Sequence, residues 1–266
     1  MKSWKSMKRK IKKGKKLHFT LIDPGDQSPE EAAEIAKIAE EAGSDAIMVG
    51  GSTKITRARV SKTIKAIKKV IKRIPVILFP NSAKAISKYA DYIFFMMLIN
   101  SRRIDFLTGE QFKGAPLVKK WKLKTISMGY ILVSMSKEPT TVERIADPDQ
   151  IRKRDFKKAV NYALISQYSG MECVYLEAGS GADEPVLKEM ISAVRKAINI
   201  EIPIIVGGAI KDGKTAAEKI KAGADIIVTG NIVESEAGRK RLKGIISAIK
   251  KDKKAPKALL FLISLS

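Results

Sequence analysis

The residues of this chain with evident chemical potential are two carboxylates and three glycine-bearing turns. Glu177 stands two residues after Tyr175 in Tyr175-Leu-Glu-Ala-Gly-Ser-Gly181, so on a strand both side chains point to one face. A buried carboxylate there suits the role of general base, taking the proton of a substrate hydroxyl as that hydroxyl attacks. A structural glutamate paired with a lysine is the competing reading. Glycine recurs in Val206-Gly207-Gly208 and in Thr229-Gly230-Asn231, each at the end of a short apolar run. Turns of this kind let a ligand approach the backbone, and free N–H groups at a helix start suit a phosphate. Ser180, Gly181, Gly207, Gly208, Gly230 and Asn231 are the expected phosphate ligands. Asp23, in Leu21-Ile22-Asp23-Pro24, and Ser52, after Gly50-Gly51, form a sparse set of hard oxygen donors. Such a set fits Mg²⁺ that takes its other oxygens from water and a diphosphate. An Asp that merely caps the segment opened by Pro24 is the alternative.

The elements that must position these residues alternate between strand and helix patterns. Residues 17–22, 45–49, 75–79, 92–97, 126–134, 173–178, 202–206 and 225–229 read as eight strands. Helical patterns cover 29–42, 57–73, 156–168 and 184–198, and one follows each of the last two strands. Eight strands separated by helices, with no linker, predict a single (β/α)8 TIM barrel over residues 1–266. In that fold the loops after strands 7 and 8 form a frequent phosphate cradle, which is where two of the glycine turns fall. The regular spacing breaks at residues 100–124 and 134–154, and the barrel is expected to depart from its ideal form after strand 3. A basic segment, 1–16, precedes the barrel and an apolar tail, 258–266, follows it.

Composition narrows the function classes. The chain of 266 residues has one cysteine and one histidine, Cys173 and His18. That rules out an internal disulfide framework and any site built from several Cys or His ligands. Cys173 lies in a predicted strand and reads as a buried structural thiol. A formal charge of +23 is concentrated in residues 1–16 and 239–257, but without aromatic interleaving or a nucleic-acid motif. No specific nucleic-acid ligand is expected. Solvated lysine-rich faces and peripheral contact with an anionic membrane surface are the two readings that remain. No apolar run of 18 residues exists, so no spanning helix is expected, and the expected location is cytoplasmic.

Taken together, the motifs resemble those of the geranylgeranylglyceryl phosphate synthases, prenyltransferase barrels of archaeal ether-lipid synthesis. The resemblance runs from about residue 17 to 250. It is carried by His18-Phe-Thr-Leu-Ile-Asp-Pro24, Met48-Val-Gly-Gly-Ser-Thr53, Phe94-Phe-Met-Met-Leu-Ile-Asn-Ser-Arg102, Gly114-Ala-Pro-Leu-Val-Lys-Lys120, Met128-Gly-Tyr-Ile-Leu-Val133, the Tyr175–Gly181 segment, Val206-Gly-Gly-Ala-Ile210 and Thr229-Gly-Asn-Ile-Val233. It implies that Asp23 and Ser52 hold Mg²⁺. It implies that Tyr175, Leu176, Glu177, Ala178, Gly179, Ser180, Gly181, Gly207, Gly208, Gly230 and Asn231 bind sn-glycerol 1-phosphate. Glu177 would activate the C3 hydroxyl for attack on C1 of geranylgeranyl diphosphate, with Tyr175 facing the allylic cation. The apolar run 94–98 would line the prenyl pocket or simply belong to the core. A homo-oligomer, dimer or hexamer, is also implied, and Trp121 is either an interface anchor or a buried residue of one subunit. Two departures stand out: Lys54 where the family carries a glycine, and Ser134-Met-Ser-Lys137 where a Pro-Gly pair is usual. A prenylglyceryl phosphate synthase of another chain length, a sugar-phosphate enzyme on the same barrel and a basic binding protein are the alternatives.

Overall fold

The computed structural model describes residues 3–51, 55–230 and 236–251; the apolar tail expected at 258–266 lies outside them. Eight strands close into one parallel barrel in chain order: β1 (Leu17–Ile22), β2 (Ala46–Val49), β3 (Val76–Leu78), β4 (Tyr92–Leu98), β5 (Lys124–Leu132), β6 (Cys173–Glu177), β7 (Ile204–Gly207) and β8 (Ile226–Thr229). The barrel closes between β1 and β8, with Phe19 opposite Val228 and Thr20 opposite Thr229. Outside it run α2 (Pro29–Ala42), α3 (Arg57–Val70), α4 (Glu110–Trp121), α5 (Thr141–Ala146), α6 (Phe156–Tyr168), α7 (Lys188–Ala197), α8 (Gly213–Lys221) and α9 (Glu236–Lys251).

Local chemistry sets the element ends. Ser28 and Glu31 make a reciprocal capping box at the start of α2, and Gly43 ends that helix in the left-handed conformation. The helix expected over 57–73 stops at Val70 because Glu40 accepts the backbone N–H groups of Lys72, Arg73 and Ile74 at 3.0, 2.6 and 3.2 Å. β5 starts two residues earlier than the apolar run suggests, since Lys124 and Thr125 are exposed yet pair with β4.

Side chains divide into an interior plug and two outer layers. Phe19, Met48, Ile77, Phe94, Met128, Tyr175 and Ile205 fill the barrel. Alternate residues pack outward, against α2 and α3 on one side and α6 to α8 on the other. Each fully buried Leu or Ile contributes roughly 1.5–3 kcal/mol relative to exposure. Cys173 is buried as expected, and burial pushes its thiol pKa upward, away from thiolate chemistry.

The basic N-terminus packs on the barrel. Trp4–Lys12 forms a helix, α1, that buries Trp4 and Met7 in the interior cluster. Its cations meet acids that stand just before strands: Lys8 on Glu172 and Lys10 on Asp45, each at 3.3 Å, and Lys12 on Glu201 at 2.6 Å. Lys16 follows with a buried pair to Asp225 at 2.8 Å. The first basic block therefore seals the N-terminal end of the barrel, opposite the face that carries the glycine turns.

Between β3 and β4 the barrel lacks a full helix. A single 3-10 turn, Ala83–Ala85, stands there instead, in agreement with the expected departure after strand 3. Beyond β4 a π-helical turn, Asp105–Gly109, runs into α4. Among the described residues no helix is long and apolar enough to cross a membrane.

Candidate active site

Glu177 ends β6 at the mouth of the barrel and is 7% exposed. Its Oε1 accepts the N–H of Gly179 at 2.7 Å. Burial raises its pKa; the Tyr175 hydroxyl and the Gly179 N–H oppose that shift. Tyr175 lies deeper on the same face, and burial with the nearby Glu177 charge holds its phenol neutral, far above the usual range. The geometry is that of a carboxylate short of solvent and short of a cation, a state that favours proton uptake.

Gly207 and Gly208 make room for this pair. A Cβ on Gly207 would lie 2.1 Å from the Tyr175 hydroxyl and 3.1 Å from Glu177 Oε2. One on Gly208 would lie 2.6 Å from Glu177 Oε1, and that residue has φ +85°, which L side chains adopt at a cost. The glycine pair thus serves the acid first. Gly208 reaches the cleft wall together with Gly179, Ser180, Gly181 and Gly230.

The cleft, about 550 Å³ in volume, opens at the C-terminal ends of the strands. One end holds Glu177, Tyr175 and the glycine loops of β6 to β8, with Lys211 and Arg241 as cations on the wall. The other end passes over Phe79 and Pro80 into the space left by the missing helix, between Ile86, Ile93, Phe95 and Phe106. Where the two ends meet, Phe79, Tyr130 and Tyr175 form an aromatic cluster. Tyr130 and Tyr175 stand edge to face at 5.3 Å between centroids, and Phe79 lies 5.6 Å from Tyr130 and 5.8 Å from Tyr175. Ring faces so placed attract a cation.

Asp23 lies across the mouth from Glu177, just after β1. Its Oδ1 accepts the N–H of Gly25 at 2.7 Å, a local turn contact that engages one oxygen of the carboxylate. Oδ2 packs on Gly51, where a Cβ would come within 1.6 Å, and both Asp23 and Asp26 line the cleft. Burial and the Asp26 charge raise the Asp23 pKa, against the pull of the Gly25 N–H. No group of three or more His, Cys, Asp or Glu suited to a metal occurs among the described residues. A carboxylate raised by desolvation, with a second one near, nonetheless fits a hard cation that keeps water and substrate oxygens as its other ligands.

The structure brings Asp23, Tyr175, Glu177, Gly179, Ser180, Gly181, Gly208 and Gly230 to one cleft. Leu176 and Ala178 belong to the outer layer of the core; their side chains point away from the cleft, because strand residues alternate. Ser52, Lys54 and Asn231 lie outside the described residues. The run 94–98 divides: Phe94, Phe95, Met96 and Leu98 line the cleft and Met97 does not. Trp121 is half-buried against the outer layer, with the Arg57 guanidinium 5.4 Å from its ring. Phe79 and Tyr130 were not among the expected site residues. Their strand positions signal them, since Phe79 follows β3 directly and Tyr130 shares the inward face of β5 with Met128.

A family model, the PcrB family, matches residues 9–251. The chain belongs to the PcrB family. It is 49% identical over 239 residues to the geranylgeranylglyceryl phosphate synthase of Pyrococcus horikoshii, covering 88% of this chain and 92% of that protein. The Methanococcoides burtonii enzyme of the same name is 47% identical over 236 residues, 88% of this chain and 94% of the relative. Among solved structures, the (S)-3-O-geranylgeranylglyceryl phosphate synthase of Thermoplasma acidophilum, in complex with its substrate sn-glycerol-1-phosphate, superposes with a TM-score of 0.88 at 41% identity. That match covers 94% of this chain and 99% of the other. The Thermoplasma volcanium protein gives a TM-score of 0.89 at 43% identity, over 96% and 100% of the two chains.

Proposed function

We propose that this chain joins sn-glycerol 1-phosphate to geranylgeranyl diphosphate, forming an ether at the glycerol C3 oxygen and releasing diphosphate. The observation that carries the reading is the position of Glu177: a buried carboxylate where glycine loops meet an aromatic-lined apolar trough. A sugar-phosphate enzyme needs the loops but has no use for the trough.

The glycerol phosphate enters on the β6–β8 side. Its phosphate faces the backbone of Ser180, Gly181, Gly208 and Gly230, with Lys211 and Arg241 supplying positive charge on that wall. Its C3 hydroxyl points to Glu177, which takes the proton as the oxygen attacks C1 of the prenyl chain. The C1–oxygen bond to diphosphate breaks in the same transfer, and the rings of Phe79, Tyr130 and Tyr175 stabilise the positive charge that develops on the allylic carbons. Asp23, with Asp26 beside it and with Ser52, would hold Mg²⁺, whose chemistry when bound is to neutralise the leaving diphosphate. The apolar trough keeps water from the reacting carbon.

Incubation with both substrates and Mg²⁺, followed by product mass and diphosphate release, tests this. One diphosphate per prenylglyceryl phosphate is expected, with loss of turnover on adding EDTA. No product from donors of any prenyl length, with folded protein, would overturn the reading.

A further inference from the structure

Helix α4 has two unlike faces. Glu110, Gln111 and Gly114 line the cleft, whereas Phe112, Ala115, Pro116 and Lys119 lie on the opposite side and are all exposed. Their spacing is i, i+3, i+4, i+7, the pattern of a continuous stripe on a helix. Phe112 is 83% exposed, and Ile104, at the entrance of the π turn that leads into α4, is 67% exposed. Exposed Lys119 and Lys120 stand at one end of the stripe; at the other, Arg102, Arg103 and Lys113 form ion pairs, Arg102 with Asp147 and Asp149. The acids nearest to it are already engaged. Asp105 lies 3.8 Å from Arg103 and 3.6 Å from Lys113, and Glu110 pairs with Lys113 at 2.7 Å.

We propose that this face of α4, with Ile104, docks on an anionic lipid bilayer. An aromatic flanked by lysines suits the headgroup boundary, where the ring inserts and the long stems keep their charges at the surface. A second copy of the chain fits less well. A two-fold contact would set the same lysine-bearing stripe of each copy against the other, in a protein of net charge +23. The placement also has a use that rests on the prenyltransferase reading. One helix would carry the membrane contact outside and the wall of the apolar trough inside, so a prenyl donor would move from bilayer to trough across a single element.

Co-sedimentation with phosphatidylcholine vesicles, with and without phosphatidylglycerol, tests the docking itself. The full chain is compared with Phe112→Ser and with the double variant Lys119→Glu/Lys120→Glu. Thermal melts check folding, and light scattering on a sizing column reads oligomeric state. Binding is expected to need the anionic lipid and to weaken with salt. It should fall about tenfold or more in each variant with melting temperature and oligomeric state unchanged. Turnover of donor embedded in anionic vesicles should fall in parallel, while turnover of donor in detergent micelles stays as in the parent. Equal vesicle binding by all three proteins would overturn the proposal. So would a smaller oligomer in the variants, which would assign the stripe to a subunit contact. Vesicle binding that follows the expected order in a protein with no prenyl turnover would sink the proposed reaction and leave the docking face standing.

Discussion

The two ends of the cleft are built by opposite means. On the β6–β8 side, glycine backbones fit against fixed polar groups, and a Cβ at Gly207 would fall 2.1 Å from the Tyr175 hydroxyl. On the β3–β4 side, a missing helix leaves a space lined by flexible apolar side chains. There a Cβ at Gly114 would press on the Cδ1 of Ile86, at 2.7 Å, and otherwise meet Ala83 Cβ at an ordinary 3.8 Å; the Ile86 atom is one that a rotamer change can move. Proton transfer needs a fixed geometry, and a long hydrocarbon needs volume. The fold supplies the first by omitting side chains and the second by omitting an element.

The widest gap between the two ends is expected from matched substitutions. Gly207→Ala should lower turnover by about a hundredfold or more, the scale expected when reacting groups are misplaced by about 1 Å. Gly114→Ala should change it by less than about threefold, as a small repacking at a yielding contact. Steady-state kinetics with both substrates checks this. Similar losses in the two variants would remove the contrast.

A smaller effect sharpens the polar end alone. The Tyr175 hydroxyl holds the Glu177 pKa down against burial, so Tyr175→Phe should raise that pKa further. A base must be deprotonated to act, and the acid limb of the kcat/KM profile should therefore move to higher pH. An unmoved limb would mean that Glu177 does not set the profile.

Much of this contrast was legible in the sequence, and its gaps have physical causes. Glycines at strand ends and the Tyr175–Glu177 spacing marked the polar end, because backbone approach and strand alternation are local properties. The aromatic cluster was not legible. Phe79 follows β3, while Tyr130 and Tyr175 lie on β5 and β6, and only barrel closure brings the three together. Helix α1 was hidden by its charge: Trp4 and Met7 sit at helical spacing, but the acids that receive its lysines are scattered ahead of β2, β6 and β7. The second role of the Gly207–Gly208 pair was also out of reach, since the atoms it accommodates belong to a different strand.

The smallest effect concerns stability behind the site. His18 is fully buried, with Nδ1 2.8 Å from Ser44 Oγ and Nε2 2.9 Å from the Oγ1 of Thr229, the residue before Gly230. Burial, with the Lys250 charge second, lowers its pKa from 6.5 to about 3. A depressed folded pKa gives stability that is fully present above the unfolded value and is lost as pH falls toward the folded one. Between pH about 6.5 and 3, on the order of a few kcal/mol should disappear. Urea denaturation at several pH values should show a shallower slope in His18→Asn. An identical slope would place the acid sensitivity elsewhere.

The central claim is that Glu177 acts as the base at the junction of the two ends, and Glu177→Gln tests it most directly. The amide keeps shape and burial but cannot take the proton. Turnover should fall by about 10² to 10⁴-fold, while calorimetric titration shows sn-glycerol 1-phosphate still bound with affinity near that of the parent. Turnover within a few-fold of the parent, in a variant that binds normally, would contradict the account.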